Sequence, residues 1–220
     1  MRPPRVISLG YRCEVAHQIR TRFGDERAMP FDWLITPLSS IPLMVEEEFR
    51  HMIDPAWLEP AEVVRRGRVV TTVVNRRYQV LIPHEFPQDA ARSLAPDWRE
   101  HLPQARAKWE FLAERWRSAM ATEQPILFVR RGGDVRLPDK ALMPTSARGH
   151  LEVLAALRSV ARDCRLLVVD AGCDLGGTGI LTDSLETAGA DDVAEDDETW
   201  SGPPQAWARV LDRVAPSAAS

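Results

Sequence analysis

The sequence has few cysteines, and they are widely spaced. The 220-residue chain holds three, Cys13, Cys164 and Cys173, and none belongs to a Cys-x-x-Cys pair. An odd number of cysteines without that spacing argues against a disulfide framework and against a structural zinc site. We therefore predict free thiols and no bound metal.

Long apolar runs and an excess of either charge are also absent. No segment approaches the length that spans a membrane, and the apolar residues 5–9 are too few for a signal peptide core. The net charge is -4, so no overall positive field favours nucleic acid or an anionic membrane. The glycine-rich residues 176–179 match neither nucleotide-binding glycine pattern. We expect a cytoplasmic protein without a cofactor that binds neither nucleic acid nor membrane; its oligomeric state stays open.

What the sequence does contain is an alternation of buried strands and helices. Apolar runs predict strands at residues 5–9, 126–129 and 165–170. Helical spacing of apolar residues predicts helices at residues 13–23, 104–122, 146–162 and 205–214. Such alternation indicates an α/β fold with a mostly parallel sheet flanked by helices.

Residues 60–104 interrupt this alternation. The mostly β-branched residues 68–74 and the mostly apolar residues 78–82 predict two strands, and residues 75–77 suit the turn between them. We therefore predict a small antiparallel hairpin insertion in this part of the chain.

One more helix is predicted ahead of the insertion. Thr36 is a good cap, Pro37 suits the first helical position, and apolar residues at helical spacing continue to about His51. Because no repeat or linker is visible, we expect residues 1–215 to form a single α/β domain and residues 216–220 to form a disordered tail.

The first predicted strand leads directly to a cysteine. Gly10 permits a sharp turn, and Cys13 then stands at the start of the predicted helix. Unpaired N–H groups and the helix dipole stabilise a thiolate at such a position, and the thiolate is the nucleophile. An inert, packed cysteine at a helix start would produce the same pattern.

A cysteine nucleophile needs a general base, and five histidines are available. His84 is the most promising, because it follows a predicted strand and lies in a loop. His17 lies four residues after Cys13 on the same helix face, so these two could also be metal ligands, although no second pair accompanies them.

Four short motifs stand out along the chain. They are Ser8-Leu9-Gly10-x-x-Cys13-x-x-Ala16, Pro30-Phe31-Asp32-Trp33-Leu34-x-Thr36-Pro37, His84-x-Phe86-Pro87 and Leu127-Phe128-Val129-Arg130. Together they resemble a bacterial family of unknown function that is described as papain-like cysteine peptidases. The resemblance implies that Cys13 is the nucleophile and His84 the general base. Glu85 stands where members of that family have Asp, so the resemblance assigns no role to this acid.

Three further kinds of residue complete the predicted site. Asp32 lies between two aromatic residues and is our first choice for the group that orients the base; capping the following turn is the alternative role. Arg12 and Arg130 are predicted to bind an anionic part of the substrate, and Trp33 is predicted to contact the substrate as well.

These observations favour a Cys–His hydrolase or acyl-transfer enzyme that acts on a small molecule or a peptide. Two other hypotheses stay open. One is a transferase-like protein that binds a sugar- or nucleotide-phosphate during glycan or polysaccharide assembly, in which Cys13 only packs. The other is an interaction domain whose seven tryptophans form a partner surface.

Overall fold

A computed structural model describes residues 3–11, 13–65, 67–133, 145–185 and 201–215; the predicted tail at 216–220 lies outside them. The elements in chain order are β1 (Arg5–Ser8), α1 (Cys13–Phe23), α2 (Ile41–Glu46), β2 (Leu58–Arg65), β3 (Arg68–Asn75), β4 (Val80–Ile82), α3 (Leu102–Met120), β5 (Ile126–Arg131), α4 (Ala147–Val160), β6 (Cys164–Val169), β7 (Leu181–Asp183) and α5 (Pro204–Val214). None of the helices in these ranges is long and apolar enough to cross a membrane.

The larger sheet is parallel, with the strand order β1-β5-β6-β7. It confirms the predicted α/β fold. Strand β7 was not predicted, because Leu181–Asp183 is only three residues long and is partly exposed. Too few residues are present there for an apolar period to be visible.

Helices cover both faces of this sheet, and the alternation of side chains along β5 separates the two layers. Leu127 and Val129 pack against α1 and α5. Phe128 packs on the opposite face, against α3, where its ring lies 5.8 Å from that of Trp116. Because successive side chains of a strand point to opposite faces, Arg130 continues the row of Phe128, and the residue after it returns to the α1 side.

The smaller sheet is antiparallel, with the order β2-β3-β4. It confirms the predicted insertion, although the turn between β3 and β4 covers residues 76–79 instead of the predicted residues 75–77. Strand β2 was not predicted, because it contains Pro60, which is tolerated only at a sheet edge, and lacks a continuous apolar face. Outside the named strands, Ile35 exchanges two backbone hydrogen bonds with Leu81, so the segment before α2 is attached to β4.

The helix predicted between Pro37 and His51 is wrong in its bounds. Pro37 is extended, with a ψ of 149°, and α2 covers only Ile41–Glu46. Glu48 and Phe49 follow with positive φ values of 49° and 61°, which end the helix. The ring of Phe49 is thereby buried 5.4 Å from that of Trp116. Tertiary burial of this ring overrides the local helical pattern.

A buried carboxylate at the start of α1 joins three elements. Glu14, only 3% exposed, accepts hydrogen bonds from Nη1 of Arg131 at 2.7 and 2.8 Å and from Nε1 of Trp207 in α5 at 2.7 Å. Gly202 lies directly over it, since a Cβ there would come within 2.0 Å of Oε1. This network holds the first turn of α1 against β5 and α5.

Replacement of Glu14 by Gln should lower the free energy of unfolding by about 2 kcal/mol, because the amide removes one of the two carboxylate charges that pair with Arg131 while keeping an acceptor for Trp207. Denaturant titration of the variant measures this loss. Glu110→Gln, on the exposed side of α3, is the matched control and should change stability by less than about 0.5 kcal/mol. Equal stability of the two variants would contradict the assigned network.

Candidate functional site

The turn between β1 and α1 brings Cys13 to the carboxyl end of the parallel sheet. Gly10 and Tyr11 have φ values of 73° and 82°, a backbone region that is strained for tyrosine. Gly10 is also crowded, since a Cβ there would lie 3.0 Å from the carbonyl oxygen of Phe31. Cys13 is the first residue of α1, is partly exposed and is not in a disulfide bond. The structure therefore presents this sulfur at a helix N-terminus, as the sequence predicted.

The segment that packs against this turn carries Asp32. Its carboxylate is buried and accepts hydrogen bonds from Nη2 of Arg20 in α1 at 2.5 Å and from the backbone N–H of Met29 at 2.8 Å. Burial raises the pKa of Asp32 to about 6, although both hydrogen bonds and the charge of Arg20 act in the opposite direction. In the structure Asp32 thus ties its segment to α1; its predicted role in orienting the base stays a prediction.

Trp33 connects the α1 layer with the loop after β4. The guanidinium of Arg20 lies 5.0 Å from the centre of the indole, and the ring of His84 makes an edge-to-face contact with it at 6.1 Å. Cys13, His17 and Arg20 are spaced by four and three residues, so they share one face of α1. The structure therefore brings the exposed His84 to the side of the sheet where this face of α1 lies.

The loop that carries His84 is held in place by contacts of the next two residues, Glu85 and Phe86. Glu85 accepts hydrogen bonds from Nζ of Lys108 at 2.9 Å and from Nε1 of Trp109 at 3.0 Å, both in α3. Phe86 is buried against Trp98, with the ring centres 5.0 Å apart. The acid after the histidine therefore anchors the loop to α3.

Arg130 is fully buried at the end of β5. Its Nη2 donates to the carbonyl oxygen of Thr36 at 2.8 Å, and its Nη1 donates to that of Leu9 at 3.3 Å. Burial lowers the pKa of Arg130 to about 10, so the side chain stays charged at neutral pH. It links the residue before the Cys13 turn to the segment that carries Trp33. Arg12, the other predicted anion-binding residue, lies outside the described residues.

Sequence reasoning missed His150, which gave no stronger signal than the other histidines in helical sequence. The structure buries it completely in the first turn of α4, with Nδ1 2.9 Å from the carbonyl oxygen of Ser146 and 3.8 Å from Sγ of Cys173. Burial lowers its pKa. Within the described ranges, no three His, Cys, Asp or Glu side chains are grouped so as to hold a metal ion.

The raised pKa of Asp32 predicts a pH-dependent contribution to stability. The folded state binds this proton more tightly than the unfolded state does, so the stability from Asp32 is complete below the ordinary pKa of 3.8 and is lost as the pH rises through about 6. Relative to Asp32→Asn, the free energy of unfolding of the wild-type protein should fall by up to about 3 kcal/mol between about pH 4 and pH 7. Denaturant titrations across this range measure the difference.

Asp97→Asn is the control for this experiment, because Asp97 is exposed and its side chain caps no helix. Its difference from the wild-type protein measures the effect of removing an exposed carboxylate and is subtracted at each pH. A wild-type advantage over Asp32→Asn that grows with rising pH would show that the ion pair with Arg20 outweighs burial.

A comparison with known protein families covers the residues described above. One family model matches residues 4–144, a range that contains the Cys13 turn, Asp32, Trp33, His84 and Arg130. No curated protein and no solved structure matches the chain significantly. The match spans more than half of the chain and confirms the family that the four motifs indicated. The chain belongs to the family described as "Putative papain-like cysteine peptidase (DUF1796)".

Proposed function

We propose that the protein is a cysteine hydrolase or acyl-transfer enzyme in which Cys13 is the nucleophile and His84 the general base. The observation that carries this proposal is the position of the thiol. It is partly exposed at the first residue of α1, after two residues with left-handed backbone, at the carboxyl end of a parallel sheet. Ligands of open α/β sheets bind at that end. The description of the family supports the same chemistry.

The reaction that fits this position is acyl transfer through a thioester. His84 takes the thiol proton as Sγ of Cys13 attacks a carbonyl carbon, and the N–H groups of the first turn of α1 stabilise the oxyanion. The bond from the carbonyl carbon to the leaving group then breaks, and His84 returns the proton to that group. Water or another acceptor releases the acyl group and regenerates the thiol. A small molecule or a peptide is the proposed substrate.

The contacts of Trp33 support His84 as the base. The indole lies between His84 and Arg20, and side chains of a helix lean toward its N-terminus. Arg20 therefore leans toward Cys13, although the two residues are about 10 Å apart along the axis of α1. We propose that Trp33 and Arg20 position His84. Trp33 is also proposed to contact the substrate.

A reducing cytoplasm is the proposed location, because Cys13, Cys164 and Cys173 are not in disulfide bonds. In a reducing compartment the thiol of Cys13, the proposed nucleophile, stays reduced and therefore active.

The first test is the rate at which iodoacetamide alkylates each cysteine, followed by mass spectrometry. At about pH 6.5 Cys13 should react at least about tenfold faster than Cys173, because burial raises the pKa of Cys173 and keeps it a thiol. His84→Ala should slow the alkylation of Cys13 about tenfold at that pH.

Two variants control this test. His101→Ala removes a half-buried histidine next to α3 and should leave the rate at Cys13 unchanged. His17→Ala tests whether His17, which shares a face of α1 with Cys13, is instead responsible for the fast alkylation of Cys13. Loss of the fast reaction in His17→Ala but not in His84→Ala would reject His84 as the base, and equal rates at Cys13 and Cys173 would reject the proposed nucleophile.

The positioning role of Trp33 makes a second prediction. Trp33→Leu removes the surface that touches both Arg20 and His84, so the pH profile of Cys13 alkylation should move most of the way toward that of His84→Ala. Trp57→Leu is the matched control, because the Trp57 ring also stacks on an arginine, Arg77, at 5.6 Å. If both tryptophan variants shift the profile equally, Trp33 has only a general structural effect.

A further inference from the structure

Four buried side-chain atoms in the described part of the chain lack a hydrogen-bond partner, and three of them belong to one region. These three are Nε of Arg130, Oγ1 of Thr36 and Nε2 of His150. All three residues are fully buried. Buried polar atoms are nearly always paired, so a group of three without partners calls for an explanation.

The three residues lie near one another at the carboxyl end of the parallel sheet. Arg130 donates a hydrogen bond to the backbone of Thr36, and the positive charge of Arg130 adds to burial in lowering the pKa of His150. A Cβ on Gly149, the neighbour of His150, would lie 2.9 Å from Leu38, two residues after Thr36. The end of β5, the segment before α2 and the first turn of α4 therefore form one junction.

The junction holds a positive charge that no described carboxylate neutralises. The guanidinium of Arg130 contacts two carbonyl oxygens and lies 5.8 Å from the ring of Tyr11. Arg131, its neighbour in β5, is paired with both Glu14 and Asp170. A buried cation without an anion is unfavourable, because no counter-charge offsets the hydration that it loses.

The donor or acceptor character of the three unpartnered atoms indicates what kind of ligand would bind there. Nε of Arg130 donates a hydrogen bond, and the hydroxyl of Thr36 can do the same. Nδ1 of His150 donates to the carbonyl oxygen of Ser146, so the neutral ring leaves Nε2 as an acceptor. A small oxyanion that also carries a hydroxyl, such as hydrogen phosphate or a singly ionised phosphate monoester, offers acceptors for the first two atoms and a donor for the third.

We propose that Arg130, Thr36 and His150 form an enclosed binding site for a small oxyanion of the phosphate type at the carboxyl end of the sheet. The site adjoins the Cys13 turn, since a Cβ on Gly10 would lie 3.1 Å from Oγ1 of Thr36. It contains neither Cys13 nor His84, and of its three residues only Arg130 was predicted from the sequence to bind an anion.

Thermal unfolding of the full chain tests this site, with inorganic phosphate as the probe and chloride at equal ionic strength as the reference. Phosphate should raise the Tm saturably, by about 5–10 °C when the sites are well saturated. The same Tm in phosphate and chloride would overturn the proposal and leave buried water as the partner of these atoms.

Three variants locate the effect. Thr36→Val keeps the shape and removes an unpartnered hydroxyl, so its Tm without phosphate should equal or exceed that of the wild-type protein, while the phosphate shift falls by at least half. Arg130→Met should abolish the shift. Arg131→Met is the matched control, with a lower Tm but the full shift. If the full phosphate-induced shift in Tm persists in Thr36→Val, the anion binds elsewhere and the proposed site is rejected. This outcome decides the question even if Arg130→Met does not fold.

Two further measurements distinguish the source of the anion and separate this proposal from the enzymatic one. A larger shift with glycerol phosphate than with inorganic phosphate assigns the site to a phosphoryl group of an organic ligand, and the reverse assigns it to the free ion; both support the site. Cys13→Ala should keep the phosphate shift. Loss of the shift in Cys13→Ala would contradict a site that is independent of the thiol.

Discussion

The pleat of β5 is the constraint on which the carboxyl end of the sheet depends. It directs two adjacent arginines to opposite faces of the sheet. Arg131 meets Glu14 and holds the first turn of α1 in place. Arg130 enters the opposite layer and holds the carbonyl groups of Leu9 and Thr36. A shift of one residue in the register of β5 would exchange these contacts and release both the turn before Cys13 and the segment that carries Trp33.

The two arginines differ in how their charges are satisfied. Arg131 has two carboxylate partners and closes a network that reaches α5 through Trp207. Arg130 is more deeply buried, yet in the described part of the chain its guanidinium donates only to two carbonyl oxygens and lies near one aromatic ring. An ion pair inside a fold needs no further partner, whereas an uncompensated buried cation attracts an anion. This contrast distinguishes the α1 side of the sheet, where the arginine is paired with carboxylates, from the opposite side, where we propose a bound anion.

The proposed catalytic residues come from two different sheets. Cys13 follows a strand of the parallel sheet, and His84 follows the last strand of the antiparallel insertion. Trp33 joins them, because its segment is attached to β4 through Ile35 and contacts Arg20 of α1. The insertion therefore belongs to the proposed active site, and its attachment to the main sheet determines where the base stands.

The sequence alone determined the elements whose apolar period is local, including the start of α1 at Cys13, and its motifs indicated the family. It could not show that Phe49 would end α2, since that depends on the ring of Trp116 from another helix. Nor could it pair Glu14 with Arg131, which are 117 residues apart, or show that His150 is buried without a partner for Nε2. Local periodicity records which side of a segment is buried. Only the tertiary structure decides which distant residues meet there, because those contacts depend on how the strands are ordered in the sheet.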